Sequence, residues 1–151
     1  MGYVAVVGPS EASADELADA EAVGRGLAQR GHVVLCGGHG GVMEAVARGA
    51  ADAGGTVVGL LPGTDRTAAN PHVTVAIPTG LGEMRNALLV RSSDVVVSVG
   101  GSWGTLSEVA LAVRTGVPVV ALRGWPLPGD PALHPVATVD AALEAVETLG
   151  R

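Results

Sequence analysis

The chain has 151 residues, a formal net charge of −6 and 48% hydrophobic residues, with two Trp, one Tyr and no Phe; that is enough apolar chain for one domain, 1–151, with a core of its own. All nine cationic residues are arginine, at 25, 30, 48, 66, 85, 91, 114, 123 and 151, so no lysine exists to form a Schiff base with pyridoxal phosphate or to serve a GxxxxGK[ST] phosphate loop. Net acidity, scattered arginines and few aromatic side chains argue against a nucleic-acid partner, and charges break every apolar run before the roughly 18 residues of a membrane span, so a soluble, cytoplasmic protein is expected.

Short β-branched runs alternate with longer segments of helical period, the pattern of a parallel sheet covered by helices on both faces. The first strand is expected over 3–7. Ser13 with Glu16 then makes a capping box, and Leu17, Ala20, Gly24 and Leu27 recur at helical spacing until Gly31. Gly24-x-Gly26 lies inside that helix and reads as a close-packing device. A strand over 32–36 leads into a helix over 41–53 that presents Met43, Val46, Ala47 and Ala50 on one face. Cys36, the one cysteine, makes no internal disulfide, and His32, His39, His72 and His134 are not at metal-ligand spacing with it, so no metal site is expected.

The next strand, 56–61, is followed by an irregular connection over 62–72 and a strand over 73–77. A helix over 81–92, a strand over 94–99 and a helix after Thr105 come next, the last with Leu106, Val109, Ala110 and Val113 inward. A strand over 118–122 and a helix capped by Asp140, with Ala142, Ala145, Val146 and Leu149 on its core face, complete the chain. The connection over 62–72, if extended, reaches about 36 Å, ample for the roughly 14 Å from the third strand past the second and first. The expectation is an α/β, Rossmann-like, doubly wound parallel sheet in three α/β/α layers, of order 3-2-1-4-5-6, with a seventh strand left open. Its switch point would lie between strands 1 and 4, and ligands would bind there, beyond the carboxyl ends of the strands.

Three loops at that end are built of small residues: Gly8-Pro9-Ser10, Gly37-Gly38-His39-Gly40-Gly41 and Gly100-Gly101-Ser102-Trp103-Gly104-Thr105. Glycine lets backbone N–H groups approach a ligand, and a helix N-terminus adds about half a positive charge, so two such loops opening helices favour a phosphate. A dinucleotide reading fails on position, because the first strand is not followed by GxGxxG and the second ends in Leu35-Cys36-Gly37 instead of a ribose-binding acid.

Glu108 carries two readings: N3 of a capping box in Thr105-Leu106-Ser107-Glu108, or a carboxylate beside the phosphate site. Arg85 likewise either offers a two-pronged donor to a phosphate or ribose oxygen or pairs on the surface with Glu83 or Asp65. Arg91 serves as its outward-facing control. His39, Asp65, Asn70 and Pro71 read first as turn residues, and Trp103 either covers a base or packs at a subunit contact.

These residues resemble a known family, the Rossmann-like proteins labelled lysine decarboxylase-like, which include the Lonely Guy phosphoribohydrolases. The resemblance covers nearly the whole chain. Gly37-Gly38-x-x-Gly41-Val42-Met43 is similar to the family's GGxxGxM, Arg85 matches the arginine of its helical Arg-Lys pair, and Gly101-Ser102-Trp103-Gly104-Thr105-Leu106-Ser107-Glu108 resembles PGGxGTxxE. The run 79–86 followed by GGSWGTLSE resembles small bacterial proteins similar to the molybdenum cofactor carrier. The resemblance implies a phosphate or nucleoside monophosphate held by Gly8, Ser10, Gly37, Gly38, Gly41, Met43, Gly100, Gly101, Ser102, Gly104 and Thr105. In its hydrolase branch Arg85 would orient the ligand and Glu108 would act on the ribose during N-glycosidic hydrolysis. In its carrier branch a molybdopterin-type ligand would be bound without chemistry, and a third reading is a nucleotide sensor. No further cofactor is required, and a homo-oligomer, dimer or tetramer, is implied. The decarboxylase label cannot apply, since there is no lysine for an aldimine. Three positions depart from the motifs: Gly100 stands for Pro, Ser102 for the second Gly, and Asn86 for the Lys of the pair.

Overall fold

The computed structural model describes residues 2–150. Seven strands, β1 (Tyr3–Val7), β2 (Val33–Cys36), β3 (Val57–Leu61), β4 (Val75–Pro78), β5 (Val95–Val99), β6 (Val119–Leu122) and β7 (Leu133–Val136), form one sheet in which every pair is parallel. Five helices cover it: α1 (Ala14–Gln29), α2 (Val42–Asp52), α3 (Arg85–Arg91), α4 (Trp103–Thr115) and α5 (Val139–Leu149). Successive strand residues point to opposite faces, so Val4 and Val6 join a core with α1, α2 and α5, while Ala5 and Val7 join a second core with α3 and α4. Among the described residues no helix is long and apolar enough to cross a membrane.

The strand order is β4-β3-β2-β1-β5-β6-β7. The doubly wound α/β architecture is as expected and the seventh strand is present, but the fourth strand lies at the far edge beside β3 and not beside β1. Hydrogen bonds at both of its ends hold it there. Thr74 N–H donates to Val57 O while Thr74 Oγ1 accepts from Val57 N–H, and Thr79 N–H and Oγ1 both donate to Leu61 O. The segment over 62–74 therefore folds back along the edge instead of crossing the sheet, and Arg66 Nε donates to Ala76 O on β4. Residues 79–94, carrying α3, make the passage to the other half, so the switch point lies between β1 and β5. Both edges use proline as an edge tolerates it, at Pro78 and Pro135.

Side-chain oxygens set the starts of α1, α4 and α5, whereas α2 and α3 begin after Gly41 and Met84 with no side-chain cap. The Ser13–Glu16 capping box is formed in full. The last helix is capped by Thr138, whose hydroxyl accepts from Ala141 N–H, which puts the expected cap Asp140 inside the first turn. Helix α4 starts at Trp103, earlier than expected, with Ser102 as its cap. Its buried face accordingly centres on Thr105, Val109 and Ala112, and Ala110 is exposed.

Glycines Gly24 and Gly49 let α1 and α2 touch backbone to backbone: a Cβ on Gly24 would meet Val46 O, and one on Gly49 would meet Glu21 O. Gly26 gives the same clearance to Leu143 of α5. Because the obstacle at Gly49 is main chain, Gly49→Ala should lower stability by about 1–3 kcal/mol in urea unfolding. Gly129→Ala, facing open space, should change it by less than about 0.5 kcal/mol.

Candidate functional site

Where β1 and β5 diverge, a crevice of about 260 Å³ opens at the carboxyl end of the sheet. Nine of the residues singled out from the sequence line it: Gly8 and Ser10 after β1, Gly37 after β2, Met43 of α2, Arg85 of α3, and Ser102, Gly104, Thr105 and Glu108 at the start of α4. Val6, Val7 and Asn86 line it as well. Four expected residues do not, because their lack of a side chain serves the surrounding framework. Gly38 has φ +81° and turns so that its carbonyl accepts from Asn70, while Gly41 passes against the Pro9 and Ser10 carbonyls. Gly100 leaves room for the Glu16 carboxylate, and the Trp125 ring covers Gly101.

The cap geometry separates the two readings of Glu108. Ser102 Oγ accepts from Thr105 N–H at 3.1 Å, so Thr105 occupies N3 and Glu108 lies a turn further into α4. Glu108 closes no capping box, and its carboxylate makes no hydrogen bond or ion pair among the described residues. Burial pushes its carboxyl up from 4.5 to about 7, against the opposing pull of the Arg85 guanidinium.

Arg85 is equally decided. It forms no ion pair with Glu83 or Asp65; instead Nη1 donates to Gly37 O at 2.7 Å and to Leu60 O at 2.9 Å. Its buried Nε has no partner among the described residues. Burial lowers its pKa, and Glu108 and Cys36 oppose that shift, but a guanidinium stays charged. Gly37 is what admits it: a Cβ there would collide with Arg85 Nη1 and Met43 Sδ. Arg91, the control, is exposed.

Around this pair the donors are main chain. Ser102 caps α4 through Thr105 N–H, which leaves the Trp103 and Gly104 N–H groups of the first turn without an acceptor among the described residues. At α2 one first-turn donor is likewise spent, Val42 N–H on Pro9 O. The α4 start nonetheless gives the crevice more of its lining, Ser102, Gly104 and Thr105 against Met43 alone from α2. His39 and Asn70 lie outside the crevice; Asn70 Nδ2 donates to His39 O and fixes the turn. Cys36 is a buried thiol pushed up to about 11, inert at neutral pH.

A family model, the SLOG cluster4 family, matches residues 1–147. The chain belongs to the SLOG cluster4 family. It is 42% identical over 120 residues, 80% of its length and 79% of the relative's, to an uncharacterized protein of Archaeoglobus fulgidus. Among solved structures it is similar to the molybdenum cofactor carrier protein of Chlamydomonas reinhardtii (TM-score 0.91, 36% identity, 97% of this chain and 96% of that one). It is also similar to the molybdenum cofactor binding protein of the phototrophic bacterium Rippkaea orientalis (TM-score 0.90, 34% identity, 97% and 95%).

For this SLOG cluster4 member, the buried carboxyl makes a pH prediction. A carboxyl raised on folding contributes stability in its neutral form, present in full below about pH 4.5 and lost as pH rises through about 7. The unfolding free energy of the native chain relative to Glu108→Gln should fall across that window. A difference that stays flat from pH 4 to pH 8 would refute it.

Proposed function

We propose that this protein binds a small phosphorylated heterocyclic molecule of the molybdenum cofactor type, with its phosphate in the crevice between β1 and β5. The observation that carries this is the pairing of Arg85, with an unpartnered buried Nε, with open main-chain donors at the start of α4. Similarity to molybdenum cofactor carriers over 97% of the chain supports it. The phosphate accepts from the Trp103 and Gly104 N–H groups and from the Ser10 and Ser102 hydroxyls, and Arg85 supplies the one positive charge in the crevice lining. Glu108, neutral below about pH 7, donates its proton to a ligand oxygen or nitrogen; once ionised it repels the anion.

One observation favours a second reading, that the ligand is a nucleoside 5′-monophosphate cleaved at its N-glycosidic bond. A half-buried carboxyl with a pKa of about 7 is suited to handle a proton or to stabilise an oxocarbenium-like centre near neutral pH. Arg85 would then hold the ribose phosphate in place. Asn86, where the resembled motif has lysine, leaves this chemistry one cation short.

Mass spectrometry of small molecules released by heat from the purified protein tests the first reading. A phosphorylated pterin is expected, and its absence, together with no calorimetric heat from any phosphorylated metabolite, overturns the reading. Incubation with a panel of nucleoside monophosphates tests the second. Ribose 5-phosphate release that drops at least about 100-fold in Glu108→Gln establishes hydrolysis, and no release with retained binding leaves a carrier.

A further inference from the structure

Two cavities meet at the mouth of the crevice. The second, of about 720 Å³, is a mostly apolar groove lined by Met84, Ala87, Trp103 and Leu111, and it shares Asn86 and Gly104 with the crevice. The crevice alone is below the roughly 300–1,000 Å³ typical of small-molecule sites, so a nucleotide-sized ligand anchored there extends past Asn86 and Gly104 into the groove. Trp103 is 80% exposed, a position that ordinarily leaves an indole free to move. Here it is braced. Its ring meets Trp125 edge to face at 5.1 Å and 80°, and Trp125 itself rests on Gly101, where any Cβ would strike it. The two tryptophans of a chain with only one other aromatic residue thus contact each other, Trp103 lining the groove and Trp125 lying outside it.

Given the reading that the crevice holds a phosphate, we infer that the groove seats the planar heterocycle of the same ligand, with Trp103 as its stacking face and Asn86 as the polar group at its edge. The continuity of the two cavities through Asn86 and Gly104 lets one ligand span them, with its phosphate on the crevice side at the α4 amides and Arg85 and its ring on the groove side over Trp103. Stacking on an aromatic face is tolerant of the ring's identity. The amide of Asn86 offers both a donor and an acceptor to a ring edge that carries a ring N–H beside a carbonyl, as guanine and pterins both do.

Guanosine 5′-monophosphate and ribose 5-phosphate, binding with and without a ring, test this on the full chain. In Trp125→Phe, Trp103 is the sole indole, and its fluorescence should be quenched by the nucleotide but not by the sugar phosphate. In Trp103→Ala the nucleotide should bind about tenfold more weakly, while ribose 5-phosphate affinity stays unchanged. Equal affinity of the native protein for the two ligands, or an unchanged ratio in Trp103→Ala, overturns the inference. An unchanged ratio with a smaller mass in solution for Trp103→Ala also overturns it, and assigns the groove to a second copy of the chain. Binding of neither ligand defeats the phosphate reading itself.

Discussion

The site hangs on the attachment of one guanidinium to the ends of two strands. A parallel sheet delivers its carbonyl oxygens to the carboxyl edge, which is the wrong polarity for an anion. Arg85 Nη1 spans Gly37 O after β2 and Leu60 O of β3, so two carbonyl oxygens at that edge are satisfied by a cation and not left bare. The charge is also pre-positioned: with one nitrogen committed to the framework, little side-chain freedom remains for a ligand to remove.

The economy of positive charge follows from this. The chain carries a net charge of −6 and no lysine, so long-range attraction does not draw a phosphate to it. In the proposed site short-range geometry would take its place, through main-chain amides at a helix start and one fixed arginine. Glu108 is the counterweight. Its burial beside Arg85 leaves the crevice with a net positive charge under mildly acidic conditions and with a net-neutral pair of opposite charges above about pH 7.

Local features were legible in the sequence because their causes are local. The Ser13–Glu16 box needs only two residues three apart, and both hydrogen bonds form; Gly24 and Gly26 allow close packing as read, Gly24 against α2 and Gly26 against α5. The place of β4 was not legible, since the 62–72 connection is long enough for either side of the sheet, and what decides it is Thr74 and Thr79 bonding across to β3. The start of α4 failed for a related reason: Ser102 and Thr105 are both competent caps, and only the fold shows which hydroxyl faces the turn. Asn86, which the sequence marks only as a departure from the resembled Arg-Lys pair, lines the crevice although nothing in its own chemistry signals it. Its adjacency to Arg85 at the start of α3 was the available signal.

Gly37 binds two positions into one unit of inheritance. The space its missing side chain leaves is filled by Arg85 and Met43, so a methyl group there would be registered forty-eight residues away, as a displaced cation and two bare carbonyls. Lineages that drift at 37 must therefore renounce the arginine or move its anchor, and the two substitutions combined should cost far less than their separate effects added together. Covariation between these sites across divergent sequences would be the historical trace of that shared space.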